Sequence, residues 1–322
     1  MKRIAVFHTG GTIAMEEDKN TGAVKPKKQN PLLQFTPELS DVELVVEDVF
    51  QLPSPHMTQK EMSTLQQIID HKVQSEKIDG VVVTHGTDTL EETAYFLDLT
   101  VQANIPIVIT GAMRSSNELG ADGLPNFISA VRVAASNDAK NAGVLVVLND
   151  EIHAAKNVTK THTSNIATFQ SPQFGPMGIV TKSGVLLHQT LMHREKYSIN
   201  GISKNVVLLK AYSGMDESIF EALDHIPLHG LVIEALGQGN VPPRTVPAIK
   251  KLLNKGIPIV LVSRCFNGVA EDVYGYEGGG KQLRNLGVIF SNGLNGQKAR
   301  IKLLVALENT NELAEIRHMF IH

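Results

Sequence analysis

The chain has 322 residues, 42% of them hydrophobic, and a formal net charge of −3 at pH 7. That length predicts one large domain with a smaller companion. Acidic and basic residues are interspersed with no basic stripe carrying interleaved aromatics, which argues against nucleic acid as a partner, and no apolar run approaches the roughly eighteen residues a membrane span needs.

Lys2 to His8 (KRIAVFH) reads as a first buried strand with no secretory h-region, so the expected location is the cytoplasm. It runs into Thr9-Gly10-Gly11-Thr12-Ile13-Ala14. Paired glycines let the backbone take positive φ and approach a ligand, leaving Thr12 on a tight turn. The stretch is not a GxGxxG fingerprint and no phosphate-loop lysine follows, so a nucleotide is disfavoured. Residues 15–31 are polar and rich in breakers, and read either as a closing element beside a site or as a solvated connection. A short strand at Val42 to Glu47 leads to Gln51-Leu52-Pro53-Ser54-Pro55, which puts Ser54 in another post-strand turn. Thr58 then caps a helix carrying Met62, Leu65, Ile68 and Ile69.

The stretch from Asp79 to Leu99 carries the most information. Val81, Val82 and Val83 suit a strand buried on both faces, and Leu90, Ala94, Leu97 and Val101 recur at helical spacing. Between them lies Thr84-His85-Gly86-Thr87-Asp88-Thr89. In an open parallel sheet such a turn lines the crevice at the carboxyl ends of the strands. Its hydroxyls and carboxylate either face a ligand there or tie off the helix, since Asp88 with Glu91 three residues later spells a capping box.

A strand at Ile105 to Thr110, a helix at Asp122 to Ser136 and a strand at Val144 to Leu148 continue the alternation. The expected fold is therefore α/β, a doubly wound and mainly parallel sheet. Asn157 to Ser164 is dense in hydroxyls around Lys160, and a lysine held against hydroxyls and a carboxylate can act as a base where burial favours its neutral form; a surface lysine is the alternative. His162 lacks a second ligand at helical or hairpin spacing, so a metal site is not expected. After a polar stretch, 196–205, a second and smaller α/β series begins, predicting domains at 1–195 and 206–322 with 196–205 as the linker. Within it, Gly237-Gln238-Gly239-Asn240 is a post-strand turn suited to contacting a ligand. Cys265, the one cysteine, follows the apolar run IPIVLVSR and is expected to pack as a small buried hydrophobe.

Three of these turns, TGGTIA at 9–14, THGTDTLEETAYFLDL at 84–99 and VTKTHT at 158–163, together resemble the bacterial L-asparaginase family. The likeness continues through TGAMR at 110–114, ADG at 121–123 and FSNGLNGQKAR at 290–300, nearly the whole chain. It implies an amidohydrolase converting L-asparagine to L-aspartate and ammonia through a threonine nucleophile, without cofactor or metal. By position Thr12 matches that nucleophile, and Thr87, Asp88 and Lys160 match the second catalytic threonine with its carboxylate and lysine. The implied substrate-binding set is Gly11, Ser54, Thr87, Asp88, Asn240 and Tyr276. Ser54 and Asp88 match groups that hold the α-carboxylate and α-amine, and Asn240 one that reaches the neighbouring subunit's site. Backbone N–H groups at Gly11 and near Asp88 are candidate oxyanion donors. The segment GYEGGGKQL at 275–283 looks like the cytoplasmic branch, with Tyr276 carried over to the substrate site and, secondarily, Glu277 as a group for the substrate amine. The resemblance also implies a homodimer or homotetramer whose sites are completed by a neighbouring subunit.

The chain departs from the family pattern in two places. Its first tyrosine is Tyr95, whereas members often carry one in the loop after the nucleophile; and Pro55 stands where secreted-type members have a glutamine. Two rival readings remain. One is a glutaminase or amidotransferase subunit of the same fold, and the other an amino-acid-binding sensor without catalysis, for which a nucleophile would be superfluous.

Overall fold

The computed structural model describes residues 1–18, 21–26 and 41–321, and the chain divides into two compact units, Met1–Lys196 and Tyr197–His322. The first unit opens with β1 (Lys2–Gly10), a hairpin of β2 (Met15–Glu17) and β3 (Val24–Pro26), then β4 (Val42–Leu52) and α1 (Gln59–Ser75). β5 (Gly80–Thr84), α2 (Leu90–Thr100), β6 (Ile107–Thr110), α3 (Gly123–Ala135) and β7 (Val144–Leu148) follow in strict alternation. The pattern then changes to short strands, β8 (Glu151–Ala154), β9 (Thr159–Lys160), β10 (Phe169–Gln170), β11 (Gly178–Thr181) and β12 (Gly184–Leu187).

Eight of these strands form one sheet in the order β12-β11-β8-β7-β6-β5-β1-β4. β4, β1, β5, β6 and β7 run parallel, and β8, β11 and β12 extend the sheet antiparallel. The parallel part is doubly wound: from β1 the chain moves to one side to make β4, then returns to the other side of β1 to make β5 and the strands beyond it. The order therefore reverses between β1 and β5, and a crevice opens at the carboxyl ends of these two strands.

The strands sit there because their residues are apolar on both faces. Val81, Val82 and Val83 are all fully buried, each side chain stabilising the fold by roughly 1.5–3 kcal/mol relative to exposure. Phe127, Ala130 and Val131 of α3 join Ile4, Val6, Val82 and Val108 in one core cluster. α2 is buried along nearly its whole length and takes Tyr95 into the core, so that tyrosine is no substitute for one in the loop after Thr12.

Two local expectations change in this unit. Residues 15–17 and 24–26 pair as a hairpin where a loop was expected; 19–20 and 27–31 lie outside the described residues. The capping box falls at the start of α1, between Thr58 and Glu61, whereas α2 is preceded by Thr89 with no side-chain cap. Asp88 and Glu91 are engaged elsewhere.

The second unit contains β13 (Val206–Lys210), α4 (Ser218–Leu223), β14 (Gly230–Ala235), α5 (Val246–Asn254) and β15 (Ile259–Ser263). It ends with α6 (Gly280–Leu286), β16 (Ile289–Phe290), α7 (Gly296–Asn309) and α8 (Leu313–Met319). Its sheet is parallel in sequential order, β13-β14-β15-β16, over a core that includes Leu231, Ile233, Ile249 and Leu261. Cys265 is exposed, contrary to the sequence expectation. β15 ends at Ser263, so the burial implied by its apolar run stops before the thiol.

Candidate active site

The site is built where β1 and β5 end. His8 lies opposite Thr84 in the parallel register, so the turns that follow emerge side by side. Gly10 and Gly11 take φ of 102° and 84°, values that only glycine adopts without strain. A Cβ on Gly11 would overlap the Gly86 backbone, and one on Gly86 would lie 2.7 Å from Ser54 Cβ. The turns bearing Thr12 and Thr87 therefore pack backbone against backbone, with the Ser54 side chain against Gly86, an approach that larger residues at 11 and 86 would forbid.

Buried polar groups fix these turns from beneath. Thr9 Oγ1 donates to Thr84 O at 2.9 Å, and His8 Nδ1 pairs with Thr84 Oγ1 at 2.7 Å. His85 is fully buried, with Nδ1 2.8 Å from Gly86 O and Nε2 3.0 Å from Thr93 Oγ1. Burial pushes both His8 and His85 down to about 4, so both rings are neutral near pH 7. Since a carbonyl only accepts, Nδ1 of His85 carries the proton and Nε2 accepts from Thr93. On the next turn, Asp122 accepts from the Met113 and Arg114 N–H groups and Asn126 Nδ2 donates to Gly111 O at 3.0 Å, which ties the TGAMR and ADG segments together.

Lys160 brings the third turn into this cluster. Its Nζ donates to Thr87 Oγ1 at 2.9 Å and to Asp88 Oδ1 at 2.7 Å. Thr87 is 7% exposed, while the Asp88 side chain is 59% exposed and the Lys160 side chain 16%. The lysine thus bridges a buried hydroxyl and a carboxylate open to solvent. β9, which carries it, pairs with β10 and is gripped by buried Glu91, which accepts from Thr159 Oγ1 at 3.0 Å and from the Lys160 N–H at 3.2 Å.

Thr12 begins a 3₁₀ turn, Thr12–Ala14, and is partly exposed. Its hydroxyl has no hydrogen-bond partner among the described residues. Ser54, 5% exposed, accepts the Asp88 N–H on Oγ at 3.1 Å, and its carbonyl accepts from Thr89 Oγ1 at 2.8 Å. The Gly11 N–H and the Asp88 N–H are both committed in this state. The Gly11 N–H goes to Leu52 O at 3.2 Å and the Asp88 N–H to Ser54.

Gly11, Thr12, Ser54, Thr87, Asp88 and Lys160 all belong to the first unit. Asn240 and Tyr276 belong to the second. There Asn240 Oδ1 accepts from the Gly280 N–H at 3.3 Å, and Tyr276 is 55% exposed with its ring centroid 5.4 Å from that of Tyr274. His162 Nδ1 accepts two local backbone N–H groups, from Ser164 and Asn165. The sequence marked Glu91 only as half of a capping box and His85 only as part of the polar turn, and carried no signal for the bonds these residues and Asn126 make.

Comparison with known proteins bears on this geometry. The family model for asparaginase N-terminal domains matches residues 3–193, and that for glutaminase/asparaginase C-terminal domains matches 205–320. An L-asparaginase of Bacillus licheniformis is 37% identical over 312 residues, covering 97% of each chain. A glutaminase-asparaginase of Pseudomonas aeruginosa is 32% identical over 340 residues, 99% of this chain and 90% of that one. The crystal structure of a probable cytoplasmic L-asparaginase from Campylobacter jejuni superposes with a TM-score of 0.91 at 34% identity, covering 100% of this chain and 99% of that one. With both family models matched in order and relatives alike from end to end, the chain belongs to the asparaginase family.

Proposed function

We propose that this chain is an L-asparaginase, an amidohydrolase releasing ammonia from L-asparagine. The observation that carries the reading is the Lys160 ammonium set 2.9 Å from the Thr87 hydroxyl and 2.7 Å from the Asp88 carboxylate, on a turn packed against the one that bears Thr12. A threonine hydroxyl is a weak nucleophile at neutral pH and must lose its proton as it attacks. In the proposed reaction the attacking form carries Lys160 as the neutral amine, Thr12 Oγ bonds to the carboxamide carbon, and the Thr12 proton passes through Thr87 Oγ1 to Lys160 Nζ. The same pair returns a proton to the departing nitrogen, the C–N bond breaks and ammonia leaves. Water then cleaves the Thr12 ester, giving aspartate and restoring the hydroxyl.

The other groups take supporting parts. Ser54 Oγ accepts from Asp88 N–H and keeps its own proton to donate to the substrate α-carboxylate, and Asp88, exposed on one side, suits the α-amine. Because the Gly11 N–H is bonded to Leu52 O, its part in the site is to let the turns approach, not to donate to an oxyanion. The working form is a homo-oligomer in the cytoplasm, residues 196–205 link its catalytic and C-terminal domains, and Asn240 and Tyr276 face a neighbouring subunit's site. The exposure of Tyr276 and the cytoplasmic relative from Campylobacter jejuni support this.

Purified protein should release ammonia from asparagine, and Thr12→Ala should release none while asparagine still raises its melting temperature. A wild-type chain without turnover would sink the proposal. The glutaminase-asparaginase relative supports a second reading in which glutamine is also hydrolysed, so rates on the two amides are to be compared directly.

A further inference from the structure

We infer that Glu91 is a positioning residue for Lys160, setting the lysine's reach to Thr87 by holding its backbone. The inference rests on the reading of this cluster as the asparaginase site. One short piece of chain, the turn and first residues of α2, touches Lys160 at both ends. At the tip, Nζ meets Thr87 Oγ1 and Asp88 Oδ1 at 2.9 and 2.7 Å. At the root, the Lys160 N–H and the adjacent Thr159 hydroxyl both donate to Glu91 Oε1, at 3.2 and 3.0 Å. Glu91 is 5% exposed and lies one helical turn beyond Thr87. Root and tip of the lysine are thereby measured from one continuous stretch, residues 87–91.

The need for such a hold follows from what else secures Lys160. β9 is only two residues long and pairs with a two-residue β10. A ribbon that short is marginal by itself, and a lysine side chain has four rotatable bonds through which a shift of its root reaches the tip. From the far side, buried His153 sits 3.0 Å from Ser171 Oγ and 3.1 Å from Glu151 Oε2, which steadies the end of β10. Glu91 ties the lysine's own peptide to the start of α2, just after the turn that presents Thr87. A displacement of about 1 Å at a reacting group costs about 100-fold in rate.

The test compares wild type, Glu91→Ala and Glu91→Gln for kcat and KM on asparagine, with a melting curve for each. Glu91→Ala is expected to lower kcat about 100-fold with KM nearly unchanged, because the groups that bind the α-carboxylate and α-amine stay in place. Glu91→Gln keeps an oxygen acceptor at the same reach and should restore most of the lost rate. If Glu91→Ala does not fold, Thr159→Val carries the test, since it removes one of the two bonds and should reduce kcat alone. Wild-type kcat in Glu91→Ala or in its substitute, a loss confined to KM, or a folded Glu91→Gln as slow as Glu91→Ala would each overturn the inference and leave the asparaginase reading standing. A wild-type chain that releases no ammonia would overturn both.

Discussion

The two units offer the same raw material and use it differently. Each has parallel strands that end in glycine-containing turns, Gly10-Gly11 at the end of β1 and Gly237-Gln238-Gly239 after β14. In the first unit the strand order reverses between β1 and β5, and the turns that follow these two strands carry Thr12 and Thr87, with Ser54 and Lys160 bonded to the Thr87–Asp88 turn. In the second unit the order is sequential, with no reversal, and the loop after β15 lies open, with Phe266 73% and Tyr276 55% exposed. Topology, more than the composition of the turns, decides where an α/β sheet offers a crevice.

The largest effect expected is at the lysine. Lys160→Met should lower kcat on asparagine by about 10²–10⁴-fold, the range a general base contributes, with the melting temperature little changed because the Asp88 partner is largely solvated. An equal loss on mutating Lys210, the second unit's lysine beside Glu234, would break the distinction between the units.

The glycines sharpen it further. Gly11→Ala places a Cβ onto Gly86 at φ 84°, combining overlap with left-handed strain, and should destabilise by about 3 kcal/mol or more. Gly237→Ala, at φ 50° with open space around it, should cost only about 1 kcal/mol. Chemical denaturation of the two variants reads the difference, and equal losses would show that the turns are not packed differently.

The smallest effect is on acid stability. His8 and His85, held down to about 4 by burial, resist protonation when folded, whereas the unfolded chain takes up those protons near the ordinary value of about 6.5. Stability is therefore complete above about pH 6.5 and falls as pH drops toward 4, by about 1.4 kcal/mol per histidine at pH 5.5. Asp98, raised by burial, acts with the opposite sign, so the informative quantity is the difference between wild type and His8→Asn. The variant should show a shallower loss of melting temperature between pH 6.5 and 4, and parallel curves would contradict the assignment.

Much of the site was legible because its parts are local. A β-branched run followed by hydroxyl-rich turn and helical spacing identifies a strand, a crevice-lining turn and a helix without any knowledge of partners, and the glycines at 10 and 11 signal a close approach of backbone. The Asp88–Glu91 pair shows where this stops. Its spacing fits a capping box as well as a site, and only the arrival of β9, some seventy residues later in the chain, draws one carboxylate to the Lys160 ammonium and the other to the Lys160 peptide. β9 and β10 themselves are too short to leave a periodic trace, and the 15–26 hairpin is equally silent.

What the amino-acid order determined by itself is the alternation of strands and helices, the apolar faces that bury them, and the residue types available at each turn, because these depend on neighbours within a few positions. What only the tertiary structure decided is which donors are already spent, as with the Gly11 N–H, which side chains are buried or exposed, as with Cys265, and which distant segment sets the reach of Lys160. Those outcomes depend on contacts across the sheet, and hydrogen-bonding capacity, being short-ranged and saturable, is allotted only once the chain has closed on itself.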